Sequence, residues 1–164
     1  MKQNRSWKWV VVVSVTVLFS GCFNRTTKTD VKIFFPDNTW NRFSVLDAKF
    51  EITNIDKTYE VAVNLGVFDG FELDEVPLEI VITAPDGQEN ILNRTMVVKN
   101  DGKYLGNAYG DVWTTKLVIY TEKEFSQVGT YSIFIQNRTQ YYDLYKAASL
   151  EFTVRPIGKV KKTE

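Results

Sequence analysis

Short stretches in which apolar and polar residues alternate constrain the fold of this chain more than any other feature. In residues 59–65, Tyr, Val, Val and Leu alternate with Glu, Ala and Asn, which is the period of a strand with one buried face. Shorter runs of the same kind occur at residues 78–83, 131–135 and 150–154. This pattern therefore predicts a fold made of strands that each bury one face in a core.

Turn-forming residues separate these runs. Pro-Asp-Gly at residues 85–87 predicts a tight turn, with residues 89–98 returning as a hairpin strand, and Asn-Asp-Gly at residues 100–102 predicts a second turn. About eight strands with regular turn signals and no convincing long helix predict an all-β fold, a two-sheet antiparallel β-sandwich. The pattern does not contain the strand order, so immunoglobulin-like and jelly-roll arrangements both remain open.

The chain has no histidine, which removes the most common general base and the most common metal ligand. Catalytic triads that need histidine and His-based zinc sites are therefore excluded. Of the 20 basic and 20 acidic side chains, three basic ones and no acidic one fall within residues 1–21, so the rest is mildly acidic. That balance does not suit nucleic acid. We predict no enzymatic activity, no cofactor and no metal.

The N-terminal segment has the features of a secretory signal. Three basic residues precede a short apolar run, and Ser20-Gly21 stands directly before Cys22, the only cysteine. The apolar run is shorter than the about 20 residues of a membrane-spanning helix and contains polar residues. A cysteine directly after the cleavage site resembles a bacterial lipobox. We therefore predict that residues 1–21 are removed and that lipid on Cys22 attaches the protein to a membrane.

The remaining chain is predicted to form one domain. Residues 22–30 hold the lipidated cysteine and a polar tether, whose eight residues after Cys22 have a reach of about 15 Å. Residues 31–156 form the β-sandwich, and residues 157–164 form a basic, flexible tail. Within the sandwich, residues 103–113 are predicted as a Gly-rich aromatic loop, and residues 140–146 as a short helical turn or a loop.

Aromatic residues are frequent in the predicted connections between strands. They are Trp40, Tyr104, Tyr109, Trp113, Tyr141, Tyr142 and Tyr145. Exposed on one side, such rings would form a platform for a sugar or a protein partner, whereas buried rings would plug the ends of the sandwich. From this set and the nearby cations we select Trp40, Tyr104, Trp113 and Arg138 as candidate binding residues.

Two other groups of residues admit a chemical interpretation. The acidic residues at positions 69, 72, 74 and 75 could hold calcium or supply an acid/base pair, but a hydrated loop between strands explains them without either function. The glycines around Lys103 do not have the spacing of a phosphate-binding loop, and no helix is predicted after them.

Several short motifs resemble, in order and spacing, the gliding-motility-associated lipoproteins of the GldH type from Bacteroidetes. They are the segment at Trp40, Asp56-Lys57-Thr58-Tyr59, Val63-Asn64-Leu65, Pro85-Asp86-Gly87, Asp101-Gly102-Lys103-Tyr104-Leu105-Gly106, Asp111, Phe125, Gly129-Thr130-Tyr131 and Ile135-Gln136. The resemblance implies a cell-envelope lipoprotein that works with other envelope proteins and has no known catalysis.

We therefore predict a non-enzymatic, lipid-anchored component of an envelope protein assembly, for gliding motility or for related secretion or assembly. Residues 23–25 lack the acidic side chains that surface-exposed lipoproteins of the Bacteroidetes often carry, which favours an outer-membrane protein facing the periplasm. The alternative is a glycan-binding lipoprotein of a nutrient-uptake system that uses the loop aromatics as its platform.

Overall fold

A computed structural model describes residues 28–160. The predicted signal sequence, Cys22 and residues 161–164 lie outside the described residues. The described part forms one short 3-10 helix, Pro36–Asn38, and thirteen strands: β1 (Thr29–Phe34), β2 (Thr39–Asn41), β3 (Leu46–Ile52), β4 (Lys57–Phe68), β5 (Glu75–Thr83), β6 (Glu89–Val97), β7 (Lys99–Asn100), β8 (Lys103–Tyr104), β9 (Asn107–Tyr109), β10 (Val112–Glu124), β11 (Gly129–Asn137), β12 (Asp143–Tyr145) and β13 (Ala147–Lys159).

The long strands form two antiparallel sheets. One has the order β1-β13-β4-β10-β9 and the other the order β3-β11-β5-β6, while β12-β2 and β7-β8 are short two-stranded ribbons. The all-β sandwich is thus confirmed. The strand number of eight is wrong for the described residues, because the count missed five strands of two or three residues that lie in the connections.

The strand order selects the jelly roll from the two arrangements that the sequence left open. Successive long strands lie in opposite sheets, except β5 and β6, which pair as a hairpin. Since the strands alternate in direction, the connections 35–45, 69–74, 98–111 and 138–146 gather at one end, which we name the distal end. Residues 28 and 160 lie at the opposite, proximal end, where the amide of Val160 donates to the carbonyl of Asp56.

The core lies between the two sheets and is filled by the alternating residues. An aromatic cluster occupies its proximal half, where the ring of Phe50 lies 5.5 Å from Tyr131 and 5.3 Å from Phe152. In β4, the predicted alternation gives one buried face, but Ala62 on the other face is also fully buried. The reason is that β4 lies in the middle of its sheet, between β13 and β10.

Both predicted turns are confirmed. The predictions for residues 140–146 and for the start of the C-terminal tail need correction. The hairpin of β5 and β6 begins at Thr83 opposite Glu89, and positive φ angles at Asp101 and Gly102 close the β7–β8 ribbon. Residues 140–146, predicted as a helical turn or a loop, form a connection that contains the short strand β12 and no helical turn. β13 continues to Lys159, so the tail predicted from residue 157 is part of a strand up to that residue. No helix within residues 28–160 is long and apolar enough to cross a bilayer.

Candidate functional site

The ribbon of β2 and β12 forms part of the distal end and holds two aromatic connections together. Residues 39–41 pair with residues 143–145, with Trp40 opposite Leu144. The amide of Arg42 donates to the carbonyl of Tyr142, and the side chain of Asn41 donates to the carboxylate of Asp143 at 2.8 Å. These contacts hold the two connections on either side of the ribbon in place, and the aromatic residues of both connections with them.

Trp40 faces the core from this ribbon and has no exposed surface. Its ring stacks on Phe35 with a centroid distance of 4.9 Å, and its indole Nε1 donates to the carbonyl of Ser44 at 2.7 Å. A ring buried in this way does not touch a partner in the described fold. Trp40 is therefore removed from the predicted binding surface, because the strand turns its side chain inward.

Four exposed aromatic residues around the ribbon form what we name the distal surface. They are Phe43, Tyr141, Tyr142 and Tyr145, with exposed fractions of 67%, 47%, 61% and 62%. Phe43 meets Tyr142 edge to face, with centroids 5.6 Å apart and an interplanar angle of 76°. The guanidinium of Arg42 lies 5.7 Å from the Tyr142 ring centre. The distal surface therefore combines exposed rings with a cation.

A small cavity of about 90 Å³ adjoins the distal surface. It lies between the 69–74 connection and the segment 141–145, and Phe71, Leu73, Tyr141 and Tyr145 are among its lining residues. It is too small for a drug-sized ligand, whose pockets measure about 300–1,000 Å³. A single side chain of a partner fits a depression of this size better than a sugar ring does.

Tyr104 and Trp113 come together at the distal end, as a stacked pair with ring centres 5.2 Å apart and an interplanar angle of 12°. The hydroxyl of Tyr104 accepts from the amide of Phe71 at 2.9 Å and lies 3.3 Å from the carbonyl of Phe68. Both rings are half-buried. Their contacts brace the connection between β4 and β5, which leaves only part of each ring for a partner.

Lys99 joins the same connection. Its Nζ donates to the carbonyl of Phe71 at 2.8 Å and forms an ion pair with Asp74 at 3.2 Å. Lys99 therefore anchors the acidic connection 69–74, which was considered above as a calcium site. Within residues 28–160, no group of three or more Asp, Glu, His or Cys side chains is arranged to hold a metal ion.

Arg138 begins the 138–146 connection at the distal end, and its contacts are with β5. Its guanidinium forms an ion pair with Glu79 at 2.9 Å, and its amide donates to the carbonyl of Pro77. The structure therefore brings together two of the four selected residues, Tyr104 and Trp113. It places Arg138 beside β5 and Trp40 in the core.

Sequence reasoning missed Phe43 and Arg42 and left Tyr141, Tyr142 and Tyr145 outside the selection. The available signal was the number of aromatic residues in two short connections that are about 100 residues apart in the chain. The predicted alternative, a flat aromatic platform for a glycan, is not supported. Trp40 is buried, and the two contacting exposed rings are nearly perpendicular.

Hydrogen bonds stabilise the carboxylate of Asp86 at the proximal end. The backbone amide of Gln88, 3.0 Å from the carboxylate of Asp86, holds the pKa of that carboxyl below its ordinary value, and the Gln127 side chain adds to the effect. This carboxylate stabilises the turn between β5 and β6.

Comparison with known proteins places the chain among lipoproteins. It is 25% identical over 131 residues to a gliding motility lipoprotein GldH homolog from Christiangramia forsetii, an alignment covering 77% of this chain and 76% of the relative. A carbohydrate-binding module specific for non-crystalline cellulose matches with a TM-score of 0.44 at 12% identity, covering 79% of this chain and 74% of the module.

A subviral particle protein of infectious bursal disease virus matches with a TM-score of 0.39 at 15% identity, covering 80% of this chain and 33% of the viral chain. The family model of the GldH lipoproteins matches residues 29–150, nearly all of the described domain. The chain therefore belongs to the GldH lipoprotein family.

Proposed function

We propose that this protein is a non-enzymatic, lipid-anchored component of an envelope protein assembly that serves gliding motility or a related secretion or assembly process. The observation that carries the proposal is the position of the distal surface. The described chain begins at the proximal end, whereas the exposed rings lie at the opposite end of the sandwich. A protein held by its N-terminus thus presents these rings away from its anchor.

The dimensions of the domain support this arrangement. β13 runs the length of the sandwich with thirteen residues, which corresponds to about 40 Å of extended strand. The tether predicted before the domain reaches about 15 Å. With lipid on Cys22 in the outer membrane and the domain in the periplasm, the distal surface would stand well clear of the lipid headgroups.

The chemistry of the distal surface suits a protein partner. Tyrosine and arginine are enriched among the residues that contribute most to protein interfaces, and Phe is enriched in interface cores. Exposed aromatic residues in one place mark interaction surfaces more often than scattered ones do. Phe43 and Tyr142, supported by Arg42, are therefore the proposed centre of contact, with Tyr104, Trp113 and Arg138 as flanking candidates.

Capture of the lipidated protein from detergent-solubilised membranes of its own host tests the proposal. We expect a fixed set of envelope proteins at near-equal amounts, and loss of this set in a Cys22→Ala variant that lacks the lipid. The double variant Phe43→Ala/Tyr142→Ala should weaken binding of the partners by about 30-fold or more, because the loss of one central interface contact already costs about 2 kcal/mol.

The matched control is Ile157→Ala, which removes an apolar side chain that is 51% exposed at the proximal end. Equal loss of partners in the control and the double variant would contradict a role for the distal surface. Retention on polysaccharide without any protein partner would overturn the assembly role, as would a gene deletion that leaves motility, secretion and envelope complexes intact.

A further inference from the structure

The four-stranded sheet ends at β6 in a long, regular edge. β6 pairs only with β5, in unbroken register from Glu75 opposite Val97 to Thr83 opposite Glu89. Its nine residues contain no proline and no bulge, and seven of them are exposed. Such an edge offers a row of free backbone amides and carbonyls, which is the template for adding a further strand.

The other sheet edges carry more of the features that prevent strand addition than β6 does. In β3, the opposite edge of the same sheet, the outward positions 47, 49 and 51 are Asp, Lys and Glu. β1 carries Asp and Lys at its exposed positions 30 and 32. β9 has only three residues, and the part of β10 that it leaves unpaired is interrupted by two register shifts. On the outward face of β6, Glu89 stands at the first position, and positions 91, 93, 95 and 97 are Ile, Asn, Thr and Val. Charges, irregular register and shortness protect edges, so β6 is the least protected of these edges.

One row of side chains on the outer face of the sheet at this edge is apolar. Ile91, which is 58% exposed, lies opposite Val81 in β5, and Val81 lies opposite Phe134 in β11. These three side chains form a row that runs from the edge into the sheet. A strand added to β6 with an apolar residue opposite Ile91 would extend the row by one position and cover Ile91.

Arg94 specifies the charge of the added strand. It lies opposite Leu78, on the core-facing side of β6, and its guanidinium donates to the carbonyl of Asn93 at 3.0 Å. Among the described residues no carboxylate lies within ion-pair distance of it. An added strand would partly bury this cation, which is unfavourable unless the strand supplies a carboxylate.

This requirement argues against a second copy of the chain. The residues of β6 on the face of Arg94 are Asn90, Leu92 and Met96, none of which is acidic. Antiparallel pairing of two β6 strands would therefore leave both Arg94 side chains without a carboxylate. A strand from a different protein does not have this restriction.

A cleft beside the start of β6 offers a place for a side chain of the added strand. Its volume is about 360 Å³, and Asn90, Lys123, Phe125 and Tyr131 are among its lining residues. The Asn90 side chain donates to the hydroxyl of Tyr120 at 2.8 Å, which joins the two sheets next to the cleft. In strand addition, backbone pairing supplies affinity and such pockets supply specificity.

We propose that β6 is a strand-addition site that takes an extended, acidic segment of another envelope protein, with an apolar residue opposite Ile91 and a carboxylate opposite Arg94. The proposal rests on the assembly role proposed above, and it states the chemistry of one partner in that assembly. It uses a surface that is separate from the distal surface.

Binding of designed peptides to the mature, lipidated chain in detergent tests the proposal. The probe is a capped nine-residue peptide of alternating valine and threonine with one central glutamate, and its twin carries lysine in place of glutamate. We expect the glutamate peptide to bind more tightly, by on the order of tenfold, because an exposed ion pair and its like-charge counterpart differ by about 1–2 kcal/mol. Amide hydrogen exchange should slow in β6 and remain unchanged in β3.

Arg94→Glu should invert the preference between the two peptides, and Ile91→Ser should weaken both. Lys49→Glu makes the same change of charge at the opposite edge of the same sheet and should leave the preference intact. An unchanged preference in Arg94→Glu, protection outside β6, or no binding of either peptide at millimolar concentration would overturn the proposal. Phe43→Ala/Tyr142→Ala should bind the peptides normally, so failure of the distal surface and failure of the β6 site are distinguishable.

Discussion

Replacing Trp40 by alanine tests whether the buried Trp40 side chain stabilises the β2–β12 ribbon at the distal end. Because Trp40 has no exposed surface, truncation removes its whole ring from the core, which costs about 3–5 kcal/mol for a buried tryptophan. The hydrogen bond from Nε1 to the carbonyl of Ser44 is lost as well. Trp40→Phe keeps a ring against Phe35 but loses this bond, so we expect a smaller cost of about 2 kcal/mol.

Urea unfolding of the chain without its first 22 residues measures both effects. That chain contains two tryptophans, Trp40 and Trp113, so far-UV circular dichroism is the appropriate signal for the free energy of unfolding. In a Trp113→Phe variant, Trp40 is the only fluorescent indole. Its emission should be blue-shifted and poorly quenched by acrylamide in the folded protein.

Full burial of Trp40 would be refuted by a cost below about 1 kcal/mol for Trp40→Ala, because surface substitutions usually change the free energy of unfolding by less than about 0.5 kcal/mol. It would equally be refuted if acrylamide quenched Trp40 as freely in the folded as in the unfolded chain. Either result would indicate that Trp40 is exposed to solvent, and Trp40 would then again be a candidate binding residue.

Two further predictions concern glycines with positive φ and an aspartate in a turn. Gly106→Ala should destabilise the domain by at least about 2 kcal/mol in urea unfolding, because φ is +93° and a Cβ there would stand 2.1 Å from the carbonyl oxygen of Thr114. Gly87→Ala, with φ of +85° and open space around it, is the control and should cost about 1 kcal/mol. The pKa of Asp86 measured by NMR should lie below the ordinary value of an aspartate, since the Gln88 amide stabilises its carboxylate. Its contribution to stability should be present above its unfolded pKa and fade as pH falls through the folded pKa, so equal pH dependence in Asp86→Ala would contradict this.

Local sequence patterns predicted the strands and turns because their causes are local. Alternation in residues 59–65 and the Pro-Asp-Gly at residues 85–87 act within one strand or one turn, and both were found where expected. The jelly-roll order was not predictable, because each sheet pairs strands that are distant in the chain, such as β1 with β13. Alternation indicates that a strand has a buried face but not which strand lies beside it.

The candidate site shows the same limit at the level of single residues. Trp40 and Phe43 stand three positions apart in one connection, yet one is fully buried and the other is 67% exposed. The difference arises from the pairing of β2 with β12, about 100 residues later, which turns Trp40 toward the core. Tyr104 and Trp113 were both selected from the predicted Gly-rich aromatic loop without any prediction that they meet, and their rings stack.

The connectivity also decides whether the two proposed surfaces compete. β6 runs along the sandwich from the proximal toward the distal end, so a strand of about 30 Å added to it covers the side of the domain and leaves the β2–β12 ribbon open. Surfaces without shared residues contribute independently to binding. Arg94→Glu and Tyr142→Ala should therefore lower recovery of the assembly by the product of their separate effects. A double variant no weaker than either single one would show instead that one partner spans both surfaces as a single unit.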